Sequence, residues 1–374
     1  MSLHFHRLSV TDVRRETADC ISVAFHLPDE VKSDFAFQPG QNITIKTSIG
    51  NAELRRSYSI CSGPHENELR IAVKEAPGGV FSAWANKELV KGHVLDVLPP
   101  TGRFTVALNP AHKKVYLAIA AGSGITPVLS IISAVLNSEP MSTVTLIYGN
   151  RDRASIIFRE QLLALKNRYM NRFVMHQVLS REKTETDIYS GRITPTKCDD
   201  FNTHLIDFQS MDDIFLCGPE SMIFDIKAWL LGKGVAINKI HYELFTTPLT
   251  QAASGKSVAN NENTYLQNSA NEALNRIARP QISHVTVILD GNKYQFDLAI
   301  DGDTILGGAL DHGADLPFSC KGGVCSTCRA KVTEGEIEMA LNYALEPEEV
   351  LAGFILCCQA HPLTANVVVD FDQK

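Results

Sequence analysis

Three observations predict a multidomain chain in which an antiparallel β-barrel precedes an α/β parallel-sheet domain and a compact α+β module. The length of 374 residues suits two to four domains at roughly 100 to 200 residues each. Up to about residue 108, short apolar stretches alternate with Gly- and Pro-containing turns, whereas from Lys114 strand-like and helix-like stretches alternate. Between Thr247 and Pro280 apolar anchors give way to Asn, Ser, Ala, Gln and Thr, the composition of an interdomain linker. The expected division is therefore 1–110, 111–246, a linker 247–280, and 281–374.

In the first segment, short stretches over 43–45, 69–73 and 94–98 are mainly apolar, each interrupted by one polar or charged residue (Thr44, Arg70, Asp96), and turns are marked by Pro39-Gly40, Ser62-Gly63-Pro64 and Pro77-Gly78-Gly79. Strands at this spacing with such turns read as a small antiparallel barrel. The second segment opens with a strand over 115–120, a Gly turn, a helix over about 126–137 and a strand over 144–148. That is a βαβ unit, which requires a parallel sheet. Strands over 173–179 and 213–217, and a helix from about Pro219 to Gly232, extend it. The linker carries a partly helical stretch over 272–278. In the last segment, 285–289 and 293–296 flank Asp290-Gly291-Asn292, a hairpin signal. A short helix over about 304–312, a Cys-rich loop, a strand after Arg329 and a final strand over 367–370 complete the module.

Composition narrows the function classes. With 44% hydrophobic and 21% charged residues the chain is ordinary globular material. No apolar run approaches the ~18 to 20 residues of a spanning helix, and the N-terminus lacks the features of a signal peptide, so a cytoplasmic location is expected. Nine cysteines in such a chain point to metal or redox use before disulfides. Residues 281–374 hold 14 acidic and 5 basic residues, a balance of −9 within a total of −7. An acidic module of that kind suits a basic protein face and argues against nucleic acid; its bland alternative is solvated loop surface.

The most specific motif is Cys320-Lys-Gly-Gly-Val-Cys325-Ser-Thr-Cys328 with Cys357-Cys358 further on. This is the C-x4-C-x2-C…C spacing of a plant-type [2Fe–2S] site. Gly322 and Gly323 let the backbone approach inorganic sulfide. Structural zinc is the competing reading, disfavoured because only one C-x2-C pair exists. Spacing alone leaves the fourth ligand open between Cys357 and Cys358. A second motif, Ala121-Gly122-Ser123-Gly124-Ile125-Thr126-Pro127, lies between a strand and a helix, where small residues and free helix N–H groups suit a pyrophosphate. Cys217-Gly218-Pro219 repeats that context. Both departures from G-x-G-x-x-G leave a plain tight turn as the alternative. Third, Arg56-Ser57-Tyr58-Ser59 precedes Gly78-Gly79-Val80-Phe81-Ser82. An Arg can pair with a diphosphate, a Tyr can cover a ring system, a Ser can bond a ring nitrogen, and the Gly turn adds backbone donors.

In this order the motifs resemble the ferredoxin-NADP reductase superfamily: R-x-Y-S for FAD, then G-x-G-x-T-P and C-G-P for the nicotinamide nucleotide. Residues 281–374 resemble a plant-type ferredoxin of β-grasp shape. The resemblance covers nearly the whole chain apart from the linker. It implies that Arg56, Tyr58, Ser59, Val73, Lys74, Gly78, Gly79, Val80 and Ser82 hold FAD. Gly122, Gly124, Thr126, Pro127, Cys217 and Gly218 would hold the nucleotide. The stretch His241-Tyr242-Glu243-Leu244-Phe245 resembles the family's end segment, which places Glu243 and Phe245 with Ser59 and Cys217 at the flavin and nicotinamide. In the family the last cluster ligand immediately precedes a Gln position, here Gln359, which selects Cys358 to join Cys320, Cys325 and Cys328. Ser180-Arg181 resembles the pair that reads a 2′-phosphate, and Arg151 follows a neighbouring strand. Arg matches phosphate bidentately, so NADPH is the expected donor, with NADH the alternative and a surface ion pair of Arg181 with Glu182 the bland reading.

The resemblance implies a relay from NADPH through FAD and the [2Fe–2S] cluster to an oxygenase. The stretches RRSYSICSGP, GGVFSAW, YGNR and LSRE most resemble reductase subunits of phenylacetyl-CoA ring epoxidases, which implies a di-iron partner. Reductases of Rieske ring oxygenases, steroid hydroxylases and desaturases share the domain set. Rivals of another class are a non-catalytic iron–sulfur sensor and a zinc-binding interaction module.

Overall fold

The computed structural model describes residues 4–50, 52–245 and 281–373, which form two compact units, His4–Phe245 and the described part of the chain beyond it. The expected linker over 247–280, with its helical stretch over 272–278, lies outside the described residues.

The first unit opens with a six-stranded antiparallel sheet: β1 (His6–Thr17), β2 (Cys20–Phe25), β3 (Asn42–Ile49), β4 (Ala52–Ser59), β5 (Leu69–Lys74) and β6 (Val94–Val97), in the order β4-β3-β6-β1-β2-β5. The two outer strands do not stay apart. An Ile60–Ile71 bridge and a Cys61 N–H bond to the Arg70 carbonyl at 2.8 Å bring the end of β4 against β5 and curl the sheet into a barrel. Barrel closure removes exposed edges. Leu8, Val23, Ile43, Ile45, Ile71 and Val73 fill the interior. The helix α1 (Val80–Glu88) plugs one end, with Phe81 and Ala85, one helical turn apart, in the same core. Truncating a fully buried Phe to Ala costs about 3–5 kcal/mol, so Phe81 is the residue on which the seating of α1 most depends.

The second half of this unit is a five-stranded parallel sheet of β7 (Val115–Ala121), β8 (Thr143–Asn150), β9 (Phe173–Leu179), β10 (Asp213–Cys217) and β11 (Ile240–Glu243). Its order is β11-β10-β7-β8-β9. The chain winds outward from β7 through β8 to β9, then crosses back to lay β10 on the other side of β7. The carboxyl ends of β7 and β10 therefore flank a topological switch point, the place where open α/β sheets bind ligands. The helix α2 (Ile125–Ser138) leaves from that point. Twelve of its 14 residues are buried, as befits a helix covered on all sides. Its apolar residues pack on the sheet together with Cys61, Ala72 and Phe104 of the barrel half. Ser130 Oγ donates to the Ser62 carbonyl at 2.7 Å and Ser133 Oγ to Glu66 Oε1 at 2.7 Å. These bonds anchor α2 to the barrel, whose interior keeps a core of its own while Cys61, Ala72 and Phe104 join the core of the parallel-sheet half.

In the second unit β12 (Ile282–Leu289) and β13 (Asn292–Ala299) form the expected hairpin. Its turn residues Asp290 and Gly291 have φ of 51° and 74°, the paired left-handed conformation of a type I′ turn. Asp372 clamps the turn, its two carboxylate oxygens accepting the N–H groups of Asp290 and Gly291 at 2.7 and 2.8 Å. With β14 (Arg329–Glu334), β15 (Ile337–Met339), β16 (Phe354–Leu356), β17 (Ala360–Pro362) and β18 (Asn366–Asp370), the main sheet runs β13-β12-β18-β14-β16. β18 lies parallel to β12 between two antiparallel pairs, and the helix Ile305–Asp311 packs across the sheet. Gly308 permits that approach, since a Cβ there would stand 2.7 Å from the Phe296 ring. This is the β-grasp arrangement.

Candidate functional site

At the switch point the backbone is arranged around absent side chains. Gly124 lies beneath the end of β10, where a Cβ would stand 2.1 Å from the Cys217 carbonyl oxygen, so only glycine fits. Gly218 is similarly confined, a Cβ there meeting Met222 at 2.7 Å. Gly122 has φ of 55°, and its carbonyl accepts the Tyr148 hydroxyl at 3.0 Å. Thr126 Oγ1 donates to the Ser123 carbonyl at 3.0 Å, and Pro127 follows in the first turn of α2. No side chain caps α2; the Ile125 N–H is taken by the carbonyls of Gly122 and Ser123 and Pro127 has none, so the donors an anion would meet here belong to the Gly122–Gly124 turn. The two loops read as separate motifs are thus one crevice.

Cys217 and Glu243 are neighbours in register on β10 and β11. Cys217 is 0% exposed. Burial, and after it the charge of Glu243, hold its thiol well above the ordinary range, so it is a neutral packing group rather than a thiolate nucleophile. Across the crevice, Ser59 at the end of β4 donates from Oγ to Glu243 Oε2 at 3.0 Å. Residues 184 positions apart are therefore joined at the crevice mouth. Phe245, two residues past the end of β11, is 41% exposed.

The flavin-motif residues line the adjoining barrel face. Tyr58 packs its ring 5.5 Å from that of Phe81, and burial raises its phenol well above the usual value, keeping it neutral. Arg56 is exposed, with Nη1 on the Arg55 carbonyl at 2.8 Å. Gly78 (φ 72°) faces open space, whereas a Cβ at Gly79 would meet Ser82 Oγ at 2.5 Å. Ser82 Oγ accepts the Ala76 N–H at 3.1 Å and shapes this turn. No side chain caps α1, and Val80 at its start is exposed. An exposed cation, an uncapped helix start and a half-buried aromatic fit the diphosphate and ring of a dinucleotide. Val73 is buried in the barrel core, its carbonyl occupied by Asn86 at 3.0 Å. Lys74 reaches the rim, 3.6 Å from Asp19 and 4.0 Å from where a Cβ of Gly122 would stand. Val73 thus supports the face from behind, while Lys74 joins it to the nucleotide loop.

At the carboxyl ends of β8 and β9, the Arg181 N–H donates to the Arg151 carbonyl at 2.7 Å and the Ser180 N–H to the Asn150 carbonyl at 2.9 Å. Ser180, Arg151 and Arg181 are exposed. Glu182 does not occupy Arg181: its carboxylate takes the Nε of Arg153 at 3.1 Å and the Arg153 N–H at 2.9 Å. Among the described residues Arg151 and Arg181 form no ion pair.

In the second unit the Cys-rich loop folds back on the stretch after β16. The thiols of Cys325 and Cys320, of Cys358 and Cys320, and of Cys328 and Cys358 lie near enough to shift one another's titration. Cys358, not Cys357, thus joins the other three. The neighbouring thiols act on Cys358 in opposite directions, Cys320 lowering and Cys328 raising it; burial adds to the rise, and the thiol ends at about 12. Soft ligands held this close suit iron and sulfide. Among the described residues no group of three or more His, Cys, Asp and Glu is arranged for a single metal ion. The Gly322 N–H points at Cys320 Sγ, 3.3 Å away. Lys321, Gly323 and Ser326 take φ of 52°, 75° and 52°, the isolated left-handed values from which backbone nests are built. Gln359 locks the loop, its Nε2 donating to the Lys321 carbonyl at 3.0 Å and the Cys358 carbonyl at 2.8 Å. Sequence reasoning missed Tyr148, Asp19 and the tie made by Gln359. Each acts through a partner distant in sequence, a relation no local pattern announces.

Comparison with known proteins follows these divisions. Residues 7–106 match the oxidoreductase FAD-binding domain, residues 118–228 the oxidoreductase NAD-binding domain, and residues 287–363 the 2Fe-2S iron-sulfur cluster binding domain. The chain is 41% identical to one of the subunits of 1,2-phenylacetyl-CoA epoxidase of Escherichia coli (strain K12), over 99% of this chain and 98% of that protein. It is 32% identical to the ferredoxin reductase component of 3-ketosteroid-9-alpha-monooxygenase of Rhodococcus rhodochrous, over 97% and 96%. The solved structure of phthalate dioxygenase reductase superposes with a TM-score of 0.56 and 21% identity over 98% of both chains, a likeness of fold. No described helix is long and apolar enough to cross a membrane. Full-length similarity to the epoxidase component, with all three domains in the same order, identifies the chain as a member of the ferredoxin-NADP reductase superfamily, in the branch of oxygenase reductases that carry a C-terminal plant-type [2Fe–2S] domain.

Proposed function

We propose that this reductase draws electrons from NADPH and delivers them to a cytoplasmic di-iron oxygenase, the phenylacetyl-CoA epoxidase above all. The observation that carries the reading is the Ser59–Glu243 bond, which brings the flavin face and the nucleotide crevice to one point. When bound, FAD accepts a hydride from the nicotinamide and the [2Fe–2S] cluster passes its electrons on singly. This chain's own part is placement. Arg56, with the N–H groups of Gly79, Val80 and α1, holds the diphosphate, while Tyr58 covers the ring. Ser59 stands at the flavin's reactive edge, with Cys217, Glu243 and Phe245 lining the nicotinamide pocket. Gly122, Gly124, Thr126, Pro127 and Gly218 seat the nucleotide, and Cys320, Cys325, Cys328 and Cys358 hold the cluster. Boundaries near residues 110, 246 and 281 separate the three functions.

Anaerobic addition of NADPH should bleach the flavin and cluster absorption together, and the purified oxygenase should support NADPH-dependent epoxidation of phenylacetyl-CoA. Bleaching without epoxidation, but with turnover of a steroid or aromatic oxygenase, would reassign the partner. No bleaching would leave an iron–sulfur sensor.

Donor choice rests on Arg181, with Ser180 and Arg151 beside it. A hydrogen bond to a charged group contributes about 1.5–3 kcal/mol, so Arg181→Ala should lower kcat/KM for NADPH roughly 10- to 100-fold and leave NADH nearly unchanged. Equal losses with both nucleotides in steady-state kinetics would refute the assignment. A fragment ending near Phe245 should retain FAD and ferricyanide reduction, since His4–Phe245 is a compact unit. It should lose partner-coupled turnover. Undiminished turnover by the fragment would mean that the cluster domain is not the electron exit.

A further inference from the structure

Next to the cluster loop stands an ion pair that no motif announces. Arg329 directly follows Cys328, opens β14 and pairs in register with Leu356 of β16. Its Nε donates to Glu349 Oε1 at 2.8 Å, and its guanidinium lies 3.5 Å from the centroid of the Phe354 ring. The Arg329 and Glu349 side chains are only 23% and 8% exposed. The second oxygen of Glu349 accepts the Glu346 N–H at 3.2 Å and caps the helix Pro347–Leu351. A structural staple between strand and helix is the ordinary reading of such a pair. Its position allows more. Phe354 is four residues from Cys358, at most about 14 Å along an extended chain, and charges this desolvated are little screened by salt. At separations of roughly 12 to 25 Å and an effective dielectric constant near 20, a unit charge shifts a one-electron equilibrium by about three- to tenfold.

We propose that Arg329 and Glu349 set the electron affinity of the [2Fe–2S] site in opposite senses, Arg329 favouring the reduced state and Glu349 opposing it. The proposal rests on the cluster reading above. Reduction adds one negative charge to the site, taken from the bound flavin. A fixed cation nearby stabilises that charge and a fixed anion destabilises it, so the pair balances the site between accepting an electron and releasing it.

The test uses the full-length holoprotein in a redox titration followed by the EPR signal of the reduced cluster. Arg329→Gln should lower the reduced-to-oxidised ratio at a given poise three- to tenfold, roughly 30 to 60 mV for one electron. Glu349→Gln should raise it by a similar factor, and Arg329→Lys should return it toward the parent value. A staple alone predicts no such opposition of sign. Shifts in the same direction, or none, in variants with full iron and sulfide content would overturn the proposal. If Arg329→Gln does not retain its cluster, Arg329→Met, which keeps the packing on Phe354, supplies the same comparison. Parent protein containing zinc in place of iron and sulfide would instead overturn the cluster reading itself.

Discussion

Cys358→Ser is expected to abolish or strongly perturb the visible and EPR signals of the iron–sulfur cluster, whereas Cys357→Ser keeps them. Both thiols are buried, at 0% exposure for Cys357 and 4% for Cys358, so burial does not discriminate between them. Their neighbours do. The Cys358 thiol is acted on first by its neighbours Cys320 and Cys328, while the Cys357 thiol is pushed up first by burial and then by Cys358. The Cys357 backbone is also engaged on both sides, its N–H on the Cys328 carbonyl at 3.1 Å and its carbonyl on the Leu306 N–H at 3.0 Å. That places it as a structural link between the loop, β16 and the helix Ile305–Asp311. A serine at 358 offers a hard oxygen where soft iron prefers thiolate, and partner-coupled turnover should fall to background. Ferricyanide reduction through the flavin should persist. The opposite spectroscopic pattern would move the ligand to Cys357.

The second large effect is expected at the Ser59–Glu243 contact. Placement of reacting atoms to within a fraction of an ångström carries much of a hydride transfer, and a displacement of about 1 Å can cost 10²-fold. Ser59→Ala removes a donor to a carboxylate, and Glu243→Gln removes the charge that accepts it. Each should slow flavin bleaching by NADPH roughly 10- to 100-fold in stopped-flow experiments, while FAD content stays full. The double variant should lose less than the two singles added together, because the residues act as one unit. Strict additivity would mean that the contact carries no shared function. Loss of FAD in Ser59→Ala would reduce its role to cofactor retention.

Much of this protein was legible in one dimension because its signals are local. The barrel turns, the βαβ spacing, the Asp290-Gly291 hairpin and the C-x4-C-x2-C loop each depend on residues close in sequence, where backbone conformation and ligand spacing are set by a few neighbours. Placing Glu243 at the nicotinamide, by contrast, required resemblance to a family; as a pattern, the stretch around it is an ordinary strand end. Other decisions waited for tertiary structure. Whether Arg181 pairs with Glu182 could not be read from their adjacency: the fold turns Glu182 toward Arg153 and leaves Arg181 free of ion pairs among the described residues. Val73, grouped with the flavin residues, turns out to point into the barrel core because neighbouring residues of β5 face opposite sides, which leaves Lys74 at the rim. The meeting of Ser59 with Glu243, the hold of Tyr148 on Gly122 and the Arg329–Glu349 pair belong to the same class. Sequence, read together with the family its motifs resemble, determined the fold classes and the chemistry they are equipped for, since the motifs that carry the resemblance are local. Which side chains share a crevice was decided only when sheet order and core packing brought distant segments together, because such contacts depend on long-range register and on the shapes of surfaces that local sequence does not encode.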